Sequence, residues 1–157
     1  MGKIVQLKNL LQIRKRAKRE GKVIVFTNGC FDLLHRGHIE FLEKAKSLGD
    51  LLMVGVNSDH SVRKIKGKGR PIVQEEDRSH LLASLQSVDY VTVFDETTPE
   101  KLIDSICPDI LVKGGDYKKE EILGRETVVR FGGKVLTLPL VRGYSTKRLI
   151  QKIQKLK

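Results

Sequence analysis

The chain reads F-T-N-G-C-F-D-L-L-H-R-G-H from Phe26 to His38, and this stretch decides the expected fold. The apolar run that ends at Phe26 predicts a buried strand, residues 27–29 predict a turn, and the residues after them predict the start of a helix. A helix N-terminus offers unpaired backbone N–H groups and a partial positive charge, which make it a natural phosphate site. His35 and His38 are three positions apart, so we expect both imidazoles on one helix face, directed at one bound anion. A histidine near a helix start can also be a cap or a surface residue, and that interpretation stays open.

Five apolar runs at regular spacing predict five β-strands, and the segments between them have helical patterning. This alternation predicts an α/β fold with a single doubly wound, five-stranded parallel sheet that helices cover on both faces. Right-handed crossovers then place the carboxyl ends of all strands at one edge of the sheet, where ligands bind. The predicted strands are Val23–Phe26, Leu51–Val56, Tyr90–Phe94, Ile110–Val112 and Lys134–Leu138.

A single domain is predicted for residues 1–157, because the length is that of one domain and no linker, repeat or low-complexity segment occurs. An apolar fraction of 39% and a mixed charge pattern predict a folded globular protein. Within the domain we expect an N-terminal amphipathic helix at about residues 6–20 and a mobile basic loop at about residues 58–71. That loop is rich in Lys and Gly and follows the second predicted strand, near the expected ligand edge.

The net charge of +11 is compatible with nucleic acid, an anionic membrane or small polyanions as partners. The basic cluster Arg14–Arg19 falls on the predicted N-terminal helix, where a solvated helix face explains it. A nucleic-acid-binding module is the non-enzyme alternative, but an aromatic content of 5% argues against a base-stacking platform. No apolar run is long enough to cross a bilayer, so no membrane partner is expected. The two cysteines, Cys30 and Cys107, indicate no disulfide framework, and a cytoplasmic location is the simplest expectation.

The residues that follow the predicted strands suit an anionic ligand that carries hydroxyls, together with a divalent metal. Glycines, basic groups, hydroxyls and carboxylates come directly after the strand ends and should therefore meet at one edge. The sequence contains neither a G-x-G-x-x-G after the first strand nor a G-x-x-x-x-G-K-[ST], which argues against a dehydrogenase and a P-loop protein. Cys30 could be proposed as a nucleophile beside His35, but packing explains it better. The pattern is consistent with nucleotidyl transfer, in which the protein aligns two phosphates and neutralises charge at the α-phosphate.

The segment Gly29–His38 resembles the H-x-G-H signature of the cytidylyltransferase-like nucleotidyltransferases, and the resemblance covers about residues 22–153. Two further stretches, K-G-K-G-R-P at 66–71 and L-V-K-G-G-D-Y at 111–117, are similar to the adenylyltransferase domain of bacterial ADP-heptose synthases. The resemblance implies a Rossmann-like fold and transfer of AMP from ATP to D-glycero-β-D-manno-heptose 1-phosphate. The products would be ADP-heptose and pyrophosphate, for lipopolysaccharide core synthesis. Glycerol-3-phosphate cytidylyltransferase is the alternative, although its fourth strand typically leads into a G-D-x-W-like sequence.

The same resemblance implies roles for individual residues. It assigns catalysis to His35, His38 and Lys66, and nucleotide binding to Thr27, Asn28, Gly29, Phe31, Gly37, Lys113, Gly114, Arg142, Ser145 and Thr146. It assigns substrate binding to Asp32, Asn57, Asp59 and Asp116. Mg²⁺ is expected with ATP, with phosphates and water as its ligands and no side chain assigned to it. A homodimer is expected from the family.

Three of these assignments have alternatives, and Arg78 has two possible roles. Lys66 can be a solvated loop lysine instead of a catalytic residue. Ser145 and Thr146 can serve only as helix caps, and the carboxylates can stabilise turns instead of binding substrate. Arg78 is either a buried arginine paired with a carboxylate or a contact between two copies of the chain.

Overall fold

The computed structural model describes residues 1–115 and 117–156, and strands and helices alternate along them. Within these residues the strands are β1 (Lys3–Ile4), β2 (Ile24–Gly29), β3 (Leu51–Asn57), β4 (Tyr90–Phe94), β5 (Ile110–Gly114) and β6 (Lys134–Leu138). The helices are α1 (Leu7–Arg19), α2 (Arg36–Lys46), α3 (Asp59–Lys66), α4 (Glu75–Ala83), α5 (Glu100–Ile106), α6 (Arg125–Arg130) and α7 (Thr146–Gln154). A 3₁₀ turn at Lys119–Glu121 precedes α6.

The six strands form one parallel sheet in the order β1-β4-β3-β2-β5-β6, so the predicted α/β fold with a parallel sheet is confirmed. The predicted count of five strands is wrong, because β1 adds a sixth at the edge, beside β4. Both residues of β1 are exposed, and backbone bonds from Lys3 and Val5 to the carbonyls of Asp89 and Val91 hold it. A two-residue exposed strand has no buried apolar run, and the sequence pattern therefore could not indicate it.

Helices cover both faces of the sheet, because successive residues of a strand point to opposite sides. In β2, Ile24 and Phe26 pack with the cluster formed by α1, α5 and α6, whereas Val25 packs with the cluster formed by α2 and α4. β3 is buried along almost its whole length, as expected of a central strand in a doubly covered sheet.

The order of the strands reverses at β2, with β3 on one side and β5 on the other. The chain leaves β2 towards β3 and β4, then crosses back over the sheet to form β5. Connections from the carboxyl ends of β2 and β5 therefore lead away in opposite directions and leave a crevice between them.

Two local predictions need correction. Residues 58–71 are not one loop, because Asp59–Lys66 forms α3, whose first turn is capped by the Ser58 hydroxyl and whose Val62 is buried. The lysines that suggested a loop are good helix formers, and the irregular part begins at Gly67. Residues 27–29, predicted as a turn, are the last residues of β2, and the turn comes at Phe31, whose φ is +48°.

Among the described residues, no helix has both the length and the apolar composition needed to cross a membrane. The predicted N-terminal helix is present as α1.

Candidate functional site

A cleft of about 260 Å³ opens at the carboxyl edge of the sheet, in the crevice between β2 and β5. The N-termini of α2 and α7 form its other walls. Its lining residues are Thr27, Asn28, Gly29, Cys30, Phe31, His35, Gly37, His38, Phe41, Gly114, Leu140, Val141, Tyr144, Ser145 and Thr146. Among the described residues of this lining there is no carboxylate, so the cleft suits an anion.

The two histidines lie against each other in the cleft. His35 is the N-cap residue of α2 and His38 lies in its first turn, and their ring centroids are 3.9 Å apart with an angle of 16° between the planes. Phe31 packs edge-on against His38 at 5.3 Å. Within the described chain neither Nδ1 has a hydrogen-bond partner, although both atoms are buried. Buried polar atoms without a partner are uncommon, and two of the four in the described chain belong to this pair of histidines.

Both imidazoles are held in the neutral form near pH 7. The pKa of His38 falls to about 4, because burial disfavours the charged ring and His35 adds a nearby positive charge when it is protonated. Burial also lowers the pKa of His35. An anion placed against these rings would favour their protonated forms, so the cleft can take up positive charge when an anion binds.

Two helix N-termini face the cleft without an acidic residue in their first turns. This holds for α2 and α7, both described in full. It also holds for α1, which does not line the cleft, whereas α3, α4, α5 and α6 each carry Asp or Glu there. The free N–H groups and partial positive charges of α2 and α7 are therefore not neutralised by the chain itself. The Ser145 hydroxyl caps α7 by accepting a bond from the Arg148 N–H at 3.2 Å, as the cap interpretation predicted. Because that bond uses only one of the free N–H groups of α7, the others can still bind an anion.

A glycine at position 37 leaves room for the side chains of His35 and Tyr144, and no unusual backbone conformation calls for it. A Cβ at this position would lie 3.0 Å from His35 Nδ1 and 3.1 Å from the Cβ of Tyr144. Gly114 has the same function at the end of β5, where a Cβ would lie 3.0 Å from Leu140. These two glycines let the loop before α7 close against α2 and β5 and complete the cleft.

The structure brings together ten of the predicted site residues. These are His35, His38, Thr27, Asn28, Gly29, Phe31, Gly37, Gly114, Ser145 and Thr146. Six others do not line the cleft, namely Lys66, Lys113, Arg142, Asp32, Asn57 and Asp59. The remaining one, Asp116, lies outside the described residues.

Asp32 is directed away from the cleft, contrary to its predicted substrate-binding role. Its carboxylate is 1% exposed and accepts bonds from Arg70 Nε and from the backbone N–H groups of Ile72 and Val73 at 2.8 and 2.9 Å. All three of these bonds come from the loop 67–74. Asp32 therefore fastens this loop to the turn after β2.

Asp59 is also part of the framework, because it pairs with Arg78. Arg78 is fully buried and donates to Asp59 at 2.8 Å and to the carbonyls of Cys30 and Val73. The Asp59 carboxylate accepts a hydrogen bond from the backbone N–H of Glu75, and the Glu75 carboxylate accepts one from the backbone N–H of Asp59. Each side chain therefore caps the helix of the other. Of the two interpretations of Arg78, the buried arginine paired with a carboxylate is confirmed.

Asn57 and Lys113 lie beside the cleft and not in its lining. Asn57 is buried and donates to the Ser61 hydroxyl at 3.0 Å. Lys113 donates to Asn28 Oδ1 at 2.6 Å, and burial lowers its pKa to about 8. Burial raises the pKa of the Cys30 thiol, and the ammonium of Lys66 opposes that rise, although Lys66 does not line the cleft.

The residues that the sequence did not indicate are mostly apolar. Phe41, Leu140, Val141 and Tyr144 complete the wall of the cleft. The ring of Tyr144 is 6.2 Å from that of His35, and 43% of the residue is exposed. The position of Tyr144 between Arg142 and Ser145 in the turn before α7 was the one available signal.

The described residues contain no group of three or more His, Cys, Asp or Glu side chains placed to hold a metal ion. A divalent cation at this cleft would therefore have to take its ligands mainly from the bound anion and from water, as Mg²⁺ often does.

Comparison with known proteins identifies the family of the chain. The cytidylyltransferase-like family model matches residues 26–152. The chain is 52% identical over 147 residues to the bifunctional protein HldE of Syntrophotalea carbinolica. The alignment covers 94% of this chain and 29% of that protein. The chain spans about a third of the length of the curated relatives it matches.

Two solved structures are similar. A lipopolysaccharide core biosynthesis protein from Thermoplasma volcanium has a TM-score of 0.63 and 34% identity, over 80% of this chain and 100% of that one. A pantoate-β-alanine ligase from Francisella tularensis, solved with an ATP ligand, has a TM-score of 0.70 over 99% of this chain and 78% of that one. At 19% identity, the second shows the fold alone. With its family match over residues 26–152 and its relatives above 50% identity, the chain belongs to the cytidylyltransferase-like family.

Proposed function

We propose that this protein is an adenylyltransferase that transfers AMP from ATP to D-glycero-β-D-manno-heptose 1-phosphate, giving ADP-heptose and pyrophosphate for lipopolysaccharide core synthesis. One observation carries the proposal: a stacked pair of neutral histidines lies in a cleft between two helix N-termini that have no acidic residue. This arrangement suits a triphosphate, because it offers hydrogen-bond donors and positive potential at several points along one groove.

The proposed reaction is a single displacement at the α-phosphorus. A phosphate oxygen of the sugar 1-phosphate forms a bond to that phosphorus, and the bond to the bridging oxygen breaks with its electron pair leaving on pyrophosphate. The rings of His35 and His38 donate hydrogen bonds to the phosphate oxygens on which charge grows in the transition state. Preorganised donors of this kind typically contribute about two to three orders of magnitude each.

The remaining contacts of the nucleotide follow from the walls of the cleft. The N-termini of α2 and α7, with Ser145 and Thr146, receive the β- and γ-phosphates. The ribose or the base lies at the part of the cleft wall that Gly114 forms. We propose that Lys66, at the end of α3, and Arg142, in the turn before α7, approach the phosphates when ATP is present. Mg²⁺ bound with ATP supplies further charge neutralisation.

The choice of ATP and a heptose phosphate is supported by the relatives. HldE proteins are about 52% identical to the chain, and the similar Thermoplasma structure is a lipopolysaccharide core biosynthesis protein. The stretches 66–71 and 111–117 support the same choice through their similarity to ADP-heptose synthases. A cytoplasmic homodimer is the form of the protein that we propose.

A substrate screen tests this function. ATP, CTP, UTP and GTP are each combined with heptose 1-phosphate, glycerol 3-phosphate and other sugar 1-phosphates, and pyrophosphate release is measured. We expect release only with ATP and the heptose phosphate, and little with CTP. Release from CTP with glycerol 3-phosphate would overturn the proposal in favour of a cytidylyltransferase.

A further inference from the structure

Lys113 is a partly buried cation at the ligand edge of the sheet, next to a second cavity. This cavity has a volume of about 190 Å³ and is lined by Pro99, Lys113, Tyr117, Glu121, Ile122 and Leu123. Pro99 follows β4 and caps α5, and the other residues belong to the end of β5 or follow it. Both cavities therefore open at the carboxyl edge, where the chemistry takes place.

The two cavities lie on opposite faces of the sheet. Along β5, Leu111 packs on the side of α1, α5 and α6, and Val112 packs on the side of α2 and α4. Since side chains alternate, Lys113 points to the side of Leu111, while Gly114 faces Phe41 and Leu140 on the α2 side. The cleft with the histidines is thus on one face, and the cavity at Lys113 is on the other.

One hydrogen bond joins Lys113 to a residue of the histidine cleft, and it lies on the Lys113 face, because Asn28 comes two positions after Phe26 in β2. The Lys113 ammonium donates to Asn28 Oδ1 at 2.6 Å, and Asn28 also lines the histidine cleft. Among the described residues, no carboxylate forms an ion pair with Lys113, including Glu121 of the same cavity. A partly buried ammonium whose partner is a neutral amide has unused capacity for an anion. Burial lowers its pKa to about 8, which agrees with this incomplete compensation.

We propose that the cavity at Lys113 binds the acceptor, with the Lys113 ammonium on its phosphate and with Glu121 and Tyr117 on its sugar hydroxyls. The inference rests on the proposed function and adds to it the place of the second substrate. Pro99, Ile122 and Leu123 supply an apolar surface for the C–H groups of the sugar, a usual composition for a ligand site.

The position on the opposite face has a chemical reason. In a displacement at phosphorus, the attacking oxygen and the leaving oxygen lie roughly in line, on opposite sides of the atom. The triphosphate tail lies in the cleft between α2 and α7 on one face. An acceptor that approaches over the sheet edge from the other face reaches the α-phosphorus from the side opposite to the leaving pyrophosphate. Lys113, on the face of the acceptor, then neutralises charge on the acceptor phosphate, which predicts a role in acceptor binding that is distinct from nucleotide binding.

The test separates the two substrates by calorimetry. Wild type, Lys113→Met and Tyr117→Phe are titrated with α,β-methylene ATP and Mg²⁺, and then with D-glycero-β-D-manno-heptose 1-phosphate in the presence of that analogue. Lys118→Met is the control, because it removes an exposed lysine that does not line the cavity. We expect Lys113→Met to weaken the sugar phosphate by about tenfold to a hundredfold, as for loss of a charged hydrogen bond, with ATP-analogue affinity changed less than about twofold. Tyr117→Phe should weaken only the sugar phosphate, by about fivefold.

The outcomes distinguish the inference from the function on which it rests. Equal sugar-phosphate affinity in wild type and Lys113→Met, in a wild type that turns over, overturns the acceptor site and leaves the adenylyltransferase intact. Weaker binding of the ATP analogue to Lys113→Met, with unchanged sugar-phosphate binding, assigns the cavity to the nucleotide and also overturns it. A wild type that neither binds nor turns over any sugar 1-phosphate removes the proposed function itself. Unchanged analogue affinity in Lys113→Met also shows that this variant is folded.

Discussion

Replacement of Gly37 by alanine should lower the activity of the protein without lowering its stability. The added Cβ would lie 3.0 Å from His35 Nδ1, whereas ordinary contacts begin at 3.4 Å, so the ring must retreat by 0.4 Å. The ring of His35 is already stacked on that of His38 at 3.9 Å, and the added Cβ would also lie 3.1 Å from the Cβ of Tyr144, so the packing around both residues would have to change. Since a displacement of about 1 Å in a reacting group can cost about a hundredfold, we expect kcat/KM to fall about ten- to a hundredfold.

The same change should leave the fold intact. The φ of Gly37 is not in the left-handed region, and alanine is favoured over glycine inside a helix by up to about 1 kcal/mol. The free energy of unfolding, measured in urea, should therefore be equal to that of wild type or slightly higher. Lys44→Ala, on the exposed side of the same helix, is the control and should keep wild-type pyrophosphate release. Wild-type kcat/KM in Gly37→Ala would show that the position of the His35 ring does not matter, and the reasoning would be refuted.

Two further predictions concern stability. Arg78→Met should lower the free energy of unfolding in urea by about 3–5 kcal/mol, because it leaves the Asp59 carboxylate without its buried partner; a loss below about 1 kcal/mol would contradict this. The folded pKa of His38, about 4, is below its ordinary 6.5, so the unfolded chain binds the proton first and stability should fall as the pH is lowered from 6.5 towards 4. In His38→Gln this fall should be smaller, and an equal fall in both proteins would exclude His38 as its source.

Much of the framework is predictable from local patterns. The apolar runs predicted the positions of β2 to β6, because β2 to β5 bury residues on both faces and the edge strand β6 still carries three apolar residues, of which Val135 is buried. The spacing of His35 and His38 predicted that the two rings meet, and they do because the N-cap residue of a helix lies close to the third residue of that helix. Ser145 was predictable as a cap for the same local reason.

The direction of the carboxylates was not predictable in this way. Asp32 and Asp59 follow strand ends, so their place at the ligand edge was predicted, but both turn towards the chain itself. The direction of each carboxylate depends on the path of residues 70–75, whose backbone N–H groups donate to it. These donors are 16 to 41 residues away in the sequence. No local pattern contains that path. Likewise, the sequence predicted that Lys113 lies at the edge of the sheet. The face to which its side chain points follows only from the register of β5 against β2.

The central claim is that the rings of His35 and His38 contact the phosphates of the nucleotide, and NMR of the histidine side chains tests it directly. The chain has four histidines, and the other two, His60 beside Asp95 and His80 beside the Glu76 carbonyl, do not line the cleft. On titration with α,β-methylene ATP and Mg²⁺, the ring signals of His35 and His38 should shift and their pKa values should rise, while the ring signals of His60 and His80 stay in place. If the nucleotide binds while the signals of His35 and His38 stay in place, the account is contradicted.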